Sequence, residues 1–303
     1  MAYIYDDGTD RMLFPFLVSP IPGTDGLFDF ETPYGYGGPV CSSGNSEFLS
    51  AAWDCFVSEC SRLRIVVGFV RFHPILQNDK YLTSRFCVIN DRKTIAIDLK
   101  PSVEDIWSEQ IHSKNRNVIR KAINSGLRYE IDLNFKYLDQ FKTLYNETMD
   151  KLSADLFYYF DDNYYINMRT NLQGRAFLAT VWFEDKLISS AIIMYSKNYG
   201  HYHLAGSDRN YLSMSPNNLL LWETACELKR MGKSIFHLGG GINSDPENSL
   251  LSFKKKFSKN EFQFSIGKMI VMDKEYMQLC SDWELSNPEK VSKFGKLTLR
   301  YRY

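Results

Sequence analysis

The spacing of apolar residues predicts alternating helices and strands over most of the chain. Apolar side chains recur every three or four positions between residues 135 and 149, which is the pattern of an amphipathic helix. A second helix is expected to begin after residue 161. Short apolar runs then predict strands at 176–183, 187–196, 202–205, 234–238 and 262–271, with helices at 216–232 and 250–257. The resulting order, α-α-β-β-β-α-β-α-β, predicts one mixed α/β layer.

The first half of the chain gives fewer regular signals. Residues 46–61 predict a helix, and the β-branched run at 65–70 predicts a buried strand. Two apolar runs at 87–89 and 94–98 flank a polar stretch, which predicts a hairpin with its turn at 90–93. The first 40 residues are rich in Gly, Pro and aromatic residues, so we expect an ordered loop without helix or strand.

Composition narrows the range of partners. The chain has 303 residues with 36 basic and 36 acidic side chains, so it carries no overall positive charge for DNA or an anionic membrane. The first residues are acidic, and no apolar run is long enough to cross a membrane. Six cysteines without a C-x-x-C pair indicate reduced thiols of a cytoplasmic protein. His201 and His203 have no further ligands at suitable spacing, so no metal site is predicted.

Four motifs in the second half resemble one branch of the GNAT acyltransferase fold. They are YHLAGSD at 202–208, SPNNLL at 215–220, FHLGGG at 236–241 and SFKKKF at 252–257. These motifs, on that order of elements, look like the second lobe of Fem-type peptidoglycan aminoacyltransferases and of related acyltransferases from surface-glycan gene clusters. The resemblance implies a mixed α/β fold of two GNAT-like lobes in tandem, packed around a cleft. The lobes would be residues 1–133, with the Gly/Pro/aromatic loop, on the acceptor side and residues 134–303 on the donor side.

The same resemblance implies a function. It is the transfer of an acyl or aminoacyl group to an amine of a nucleotide-linked amino sugar or a peptidoglycan precursor. The donor substrate would be acyl-CoA or aminoacyl-tRNA, with no tightly bound cofactor and no DNA partner. The loop at 205–210 lacks the Arg/Gln-x-x-Gly-x-Gly/Ala pattern with which acetyl-CoA enzymes hold a diphosphate. A module that binds tRNA or glycan without catalysis is the alternative.

Two residues are the candidate catalytic groups. By resemblance, Lys254 faces the donor carbonyl, where a cation would stabilise the oxygen that becomes negative in the tetrahedral intermediate. The alternative is that Lys254 belongs to an ordinary solvated run of lysines. Asp98, at the end of a predicted strand, matches an acceptor-side carboxylate of the Fem pattern, which would orient or deprotonate the amine. Its alternative role is that of a helix cap.

Further candidates line the expected donor and acceptor sites. A proline-initiated helix start offers backbone amides to an anion, and a glycine triplet allows close approach of a ligand. The residues on the donor side are Phe253, Ser215, Asn217, Asn218, Gly239 and Gly240. On the acceptor side the resemblance points to Arg71 and His73, the aromatic loop offers Tyr34 and Tyr36, and His203 is expected to contact substrate or to pack.

Overall fold

The computed structural model describes residues 1–303, and the chain divides into two units. Unit 1 comprises residues 1–92 and 263–303, and unit 2 comprises residues 93–262. The strands are β1 Ala2–Asp6, β2 Arg11–Pro15, β3 Leu17–Pro20, β4 Phe28–Glu31, β5 Val40–Cys41, β6 Ile65–Arg71, β7 Cys87–Asp98, β8 Leu127–Asp132, β9 Ala176–Phe183, β10 Lys186–Tyr195, β11 Tyr199–Ser207, β12 Ile235–Gly240 and β13 Glu261–Ile270. The helices are α1 Ser46–Arg62, α2 Val103–Asp105, α3 Ser113–Asn124, α4 Leu138–Lys151, α5 Asp162–Asn171, α6 Pro216–Arg230, α7 Ser249–Lys255, α8 Asp273–Ser286 and α9 Val291–Phe294. None of these helices combines the length and the apolar character that a membrane span requires.

Unit 2 is a three-layer α/β/α arrangement. Its strands follow the order β7-β12-β11-β10-β9-β8, with β7 contributing its part from Lys93 onwards. Strands β9 and β10 are buried along almost their whole length because helices cover both faces of the sheet. Helices α3, α6 and α7 share one hydrophobic core with the sheet, while α4 and α5 form a second core on the other face. The predicted mixed α/β fold and the predicted element order of the second half are confirmed.

Unit 1 contains two small sheets and an aromatic core. Strands β1, β2 and β5 form one antiparallel sheet, and β3, β4, β6 and β13 follow one another in a second. Buried Met12 and Phe14 alternate with exposed residues along β2, which gives that strand one buried face. Phe14, Trp53 and Phe56 meet edge to face at ring distances of 5.4–5.5 Å. Asn45 caps α1 by accepting hydrogen bonds from two backbone N–H groups of its first turn.

Two local predictions for the first half were wrong. The first 40 residues form four strands and the start of a fifth, because the alternation of buried and exposed side chains in β2 outweighs the nearby Gly and Pro. The predicted hairpin at 87–98 is the single twelve-residue strand β7. The polar residues in the middle of β7 form hydrogen bonds with β13 and do not form a turn. The Arg92 carbonyl accepts from Gln263 Nε2 at 3.2 Å, and Asn90 Oδ1 accepts from the Ser265 hydroxyl at 3.2 Å.

The division into units also differs from the predicted boundary after residue 133. Residues 93–133 group with the second half of the chain, and residues 263–303 return to the first. The reason lies in strand pairing within unit 2, because the end of β7 pairs antiparallel with β12 from Thr94 to Asp98. Unit 1 is formed by two separate segments of the chain, residues 1–92 and 263–303, so a single boundary along the sequence cannot describe it. Which unit binds the donor and which the acceptor stays a prediction.

Close packing of α4 on β11 makes Gly206 a position where a side chain cannot be accepted. A Cβ atom there would lie 2.3 Å from the carbonyl carbon of Leu144 and 2.4 Å from the amide nitrogen of Tyr145. Both are backbone atoms that can move only with α4. We therefore expect Gly206→Ala to lower the free energy of unfolding by about 3 kcal/mol or more. Denaturant titration measures this, with Gly44→Ala, which meets no atom within 4 Å, as a control expected to stay within about 0.5 kcal/mol. Equal stability of the two variants would contradict the packing argument.

Candidate active site

A gap opens in unit 2 between the parallel strands β11 and β12. They pair at only three positions, Tyr199 with Ile235, Gly200 with Phe236, and His201 with His237. Beyond this point β11 continues to Ser207 beside β10, and β12 continues to Gly240 beside β7. The two strands therefore separate towards their carboxyl ends. We call the opening between residues 202–207 and 238–240 the strand gap.

Lys254 places its ammonium group in the strand gap. Its Nζ donates a hydrogen bond of 2.7 Å to the carbonyl of Gly240 on β12. The same atom lies 6.0 Å from the ring centre of Tyr202 on β11, so the group lies between the two strands that border the opening. Helix α7 holds it there, and Asn248 caps that helix by accepting from the backbone N–H groups of Leu250 and Leu251.

The environment of Lys254 differs sharply from that of its neighbours. The residue is only 6% exposed, whereas Lys255 and Lys256 are exposed and Lys255 is paired with Glu261 at 2.9 Å. Burial lowers the pKa of Lys254 to about 7, because the charged form loses its hydration. The ammonium therefore carries a charge that is easily gained and lost near neutral pH, which is unusual for a structural lysine.

Three other predicted donor-side residues lie close to Lys254. Gly240 supplies the carbonyl that Lys254 binds, and Gly239 adopts a positive φ of 79°, which a residue with a side chain would resist. The register of β12 against β7 shifts between His237 and Gly239, so the strand bulges where the gap opens. Phe253 is half-buried and packs edge to face on Phe257, with ring centres 5.4 Å apart.

The start of α6 is fixed by side-chain hydrogen bonds within unit 2. Asn217 Oδ1 accepts from the hydroxyl groups of Ser189 and Ser207 at 2.7 and 2.6 Å. Asn218 Nδ2 donates to Asn115 Oδ1 of α3 at 2.7 Å. Ser215 is in the left-handed region with φ 60° and makes no side-chain cap. The two asparagine side chains thus position the helix, and the backbone N–H groups of Asn218 and Leu219 already donate to the Ser215 carbonyl at 3.1 and 3.4 Å.

Asp98 lies at the opposite end of β12 from Lys254. It pairs with Ile235, whereas Lys254 binds Gly240, and five residue steps of about 3.3 Å separate those positions by roughly 17 Å. Its carboxylate accepts from the backbone N–H of Lys100 at 3.0 Å. Its backbone exchanges two hydrogen bonds with the Gln110 side chain. These contacts are those of a turn-forming aspartate, and the structure does not bring Asp98 and Lys254 together.

His203 forms a close pair with Tyr164 of α5. The hydroxyl oxygen of Tyr164 and Nε2 of His203 are 2.6 Å apart, and the Tyr164 ring stacks on Phe160 with centres 4.2 Å apart. Burial lowers the pKa of His203 to about 4, so its imidazole is neutral at neutral pH. The irregular pairing of β11 with β10 occurs at this point, between Ile192 and Ile193.

Four of the five predicted acceptor-side residues lie in unit 1, and the structure brings two of these four together. Tyr36 packs on His73 with ring centres 5.8 Å apart, and burial lowers the pKa of His73 to about 4. Nδ1 of His73 accepts from the backbone N–H groups of the two residues at positions 75 and 76. Arg71 is paired with Glu31 at 2.9 Å, and Tyr34 is 39% exposed.

Tyr202 was missed in the sequence. Only the histidines on either side of it, His201 and His203, were considered. Because side chains alternate between the two faces of a strand, Tyr202 lies on the face opposite both histidines. That face packs against the core of α3, α6 and α7, which is the side from which Lys254 reaches the gap.

Comparison with known proteins shows which folds this chain resembles. Residues 113–249 match the family model described as an acetyltransferase (GNAT) domain. A crystal structure of FemX superposes with a TM-score of 0.71 at 14% identity, covering 91% of this chain and 90% of that one. The C-terminal domain of a candidate lysylphosphatidylglycerol synthetase from Agrobacterium fabrum gives a TM-score of 0.57 at 13% identity, covering 96% and 89%. A tandem GNAT protein from the clavulanic acid pathway gives 0.51 at 8% identity, covering 86% and 78%.

No curated protein sequence matches the chain. The matched segment lies within unit 2 and ends five residues before Lys254. The chain has a Fem/GNAT-like acyltransferase fold, and the predicted class of enzyme, an acyltransferase, is supported by the domain match and the structural neighbours together.

Proposed function

We propose that the protein transfers an acyl or aminoacyl group from an activated donor to an amine of a bacterial cell-surface glycan or peptidoglycan precursor. The observation that carries this proposal is the buried ammonium of Lys254 in the strand gap, bound to the Gly240 carbonyl. A buried cation without a carboxylate partner is costly to keep, so its presence favours a chemical role. The FemX and lysylphosphatidylglycerol synthetase neighbours support an acceptor in the cell envelope.

The reaction uses Lys254 as an electrostatic catalyst. The donor carbonyl enters the strand gap with its oxygen towards Nζ, and the neutral acceptor amine attacks the carbonyl carbon. The C–N bond forms while the carbonyl π electrons move to oxygen, and the Lys254 ammonium stabilises that negative charge. Collapse of the tetrahedral intermediate restores the carbonyl and breaks the C–O or C–S bond to the donor. The proton that the nitrogen loses passes to the departing oxygen or sulfur, which leaves as the hydroxyl of the tRNA or the thiol of CoA. No covalent enzyme intermediate is required.

Two donor classes supply such a carbonyl, aminoacyl-tRNA and acyl-CoA. The loop after β11 helps to decide between these two donors. Its Asp208 carboxylate is paired with Lys186 at 2.7 Å and accepts from the backbone N–H of Asn210 at 2.9 Å. A carboxylate occupies the loop where acetyl-CoA enzymes present glycines to a diphosphate. This favours a donor that does not depend on that loop for binding, and we therefore place aminoacyl-tRNA ahead of acyl-CoA.

The proposal is tested by offering both donor classes with candidate acceptors and weighing the product. The acceptors are UDP-linked amino sugars and peptidoglycan precursors, and mass spectrometry detects the added acyl group. We expect an amide product that resists mild alkali, formed with one donor class and not without the protein. Binding of RNA or glycan without any product across these pairs would instead support the non-catalytic binding module.

The contacts of Asp98 give a second expectation about the same reaction. The Asp98→Asn variant keeps an oxygen to accept from the Lys100 N–H, and the position lies far from Lys254 along β12. We expect its turnover to stay within about twofold of wild type, because a change of about 0.4 kcal/mol or less in the barrier corresponds to that factor. Steady-state kinetics measure this. A folded Asp98→Asn protein with a hundredfold loss of turnover would show that the carboxylate takes part in the chemistry.

A further inference from the structure

A cavity lies in unit 2, at the amino ends of β11 and β12, away from the strand gap. Its volume is about 590 Å³, within the range of about 300–1,000 Å³ that is typical of small-molecule sites. Lys233 precedes β12 and lines this cavity, whereas Lys254 binds Gly240 at the other end of that strand. Ile235 and Gly240 are roughly 17 Å apart along β12. The cavity is therefore a separate place from the proposed reaction centre.

The lining of this cavity is basic. Arg175, Lys197 and Lys233 all contribute to it, and no carboxylate is among its lining residues. None of the three forms an ion pair, in contrast to Lys186 and Lys255 of the same unit, which are paired with Asp208 and Glu261. The cavity thus has three basic residues in its lining and no carboxylate to neutralise them. Such an arrangement concentrates anions from solution.

The other lining residues provide apolar surface beside these charges. Leu172, Met194 and Tyr195 line the cavity. The Lys233 ammonium lies 5.1 Å from the centre of the Tyr195 ring. Lys233 Nζ also donates to the carbonyl of Lys197 at 3.4 Å, which orients that ammonium. An aromatic ring next to an oriented ammonium group suits a ligand that combines a flat ring system with phosphate groups.

We propose that this cavity binds the nucleoside diphosphate portion of a small molecule. An arginine guanidinium matches the oxygens of a phosphate in pairs, and two lysines can neutralise the remaining charge of a diphosphate. The apolar wall of Leu172, Met194 and Tyr195 would receive the base. The cavity size excludes a folded RNA stem but accepts one nucleotide. The site goes beyond the proposed transfer reaction, since it anchors a ligand at a distance from the reacting carbonyl.

Isothermal titration calorimetry with UDP, ADP, CoA and inorganic pyrophosphate tests this assignment. We expect wild type to bind a nucleoside diphosphate more tightly than pyrophosphate, because only the former covers the apolar wall. Replacing both lysines in Lys197→Gln/Lys233→Gln should weaken binding about 100-fold, because each charge-assisted hydrogen bond to the phosphates contributes roughly tenfold to the affinity. The slope of log Kd against log salt concentration should fall in the same variant. A preference for UDP identifies a nucleotide-linked sugar as the source, and a preference for ADP and CoA identifies an adenine nucleotide.

Two controls locate the ligand. Lys151→Gln removes an exposed lysine of α4 that does not line the cavity, and it should leave the affinity unchanged. Lys254→Met should also leave it unchanged, although this variant is expected to lose acyl transfer. Circular dichroism melting verifies that the double variant is folded. Three results would each overturn the assignment, whatever the outcome of the transfer assay. Wild type does not bind nucleoside diphosphate at millimolar concentration, the double variant binds it as tightly as wild type does, or the Lys254→Met variant no longer binds it.

Discussion

Replacing Lys254 with methionine is expected to reduce the turnover of acyl transfer by about 100- to 1,000-fold, the effect of removing one donor from an oxyanion site. Methionine fills a similar volume, so the packing of α7 against the strand gap should persist. The loss should appear in kcat with little change in KM, because the contact to the oxygen strengthens only when the negative charge develops. Lys255→Met, which removes an exposed neighbour of the same helix, is the matched control and should retain turnover.

The same variant should be more stable than wild type below neutral pH. A fall of the Lys254 pKa from about 10.4 in the unfolded chain to about 7 in the fold corresponds to about 5 kcal/mol of destabilisation. This cost is fully present below pH 7, where both states are protonated. It disappears as pH rises from 7 to 10.4, because the folded state has already released its proton.

We therefore expect Lys254→Met to exceed wild type by on the order of 3 kcal/mol at pH 6, with part of the gain offset by the Gly240 carbonyl that loses its donor. The difference should shrink steadily towards pH 10. Urea titrations at pH 6 and pH 9.5 measure it. A variant that is less stable than wild type at pH 6, or a difference independent of pH, would show that the buried ammonium is not held at an energetic cost.

The second large effect is expected at the C terminus of unit 1. Arg302 binds both carboxylate oxygens of Asp29 at 2.7 Å, and the Tyr301 hydroxyl donates to one of them at 2.9 Å. Asp29 is 1% exposed, so its charge depends on these partners. Arg302→Ala leaves that carboxylate buried with a single hydroxyl, and we expect the free energy of unfolding to fall by about 3 kcal/mol.

Arg62→Ala is the control for this prediction. Arg62 also binds a carboxylate, that of Glu59, but its side chain is 69% exposed. Water replaces such a contact, so a loss of less than about 1 kcal/mol is expected. Guanidinium denaturation of both variants at pH 7 makes the comparison. A loss for Arg302→Ala no larger than that for Arg62→Ala would mean that the C-terminal contact to Asp29 contributes little to the stability of unit 1.

Periodicity predicted the second half of the chain well because its helices and strands each bury a face. The stripe from Phe141 to Tyr145 in α4 and the apolar run of β9 are both such cases. Residues 1–40 were harder, since Gly and Pro lie between short strands whose buried residues, such as Met12 and Phe14, belong to a core built mainly from later elements. The middle of β7 was interpreted as a turn because its partners, Gln263 and Ser265, are about 170 positions away in the chain.

Only part of the candidate active site could be predicted from the sequence. The lysine run drew attention to Lys254, but a run of three lysines does not reveal which one is buried. That distinction arises from the strand gap, where Gly240 and Tyr202 meet the ammonium from two strands. Asn217 and Asn218 occur at a helix start, as predicted, but the hydrogen bonds of their side chains with Ser207 and Asn115 were not predicted. These hydrogen bonds depend on tertiary pairing that no local pattern encodes.

In the proposed reaction the charged form of Lys254 drives acyl transfer, and the pH dependence of turnover in wild type and Lys254→Arg tests this role. The ratio of the two rates cancels the titration of the acceptor amine, and the arginine stays charged throughout. With a lysine pKa of about 7, we predict that the ratio of wild-type to variant turnover is constant below pH 7 and falls about tenfold for each pH unit above it. A ratio that stays constant from pH 6 to pH 9 would show that the charge of Lys254 does not drive the transfer.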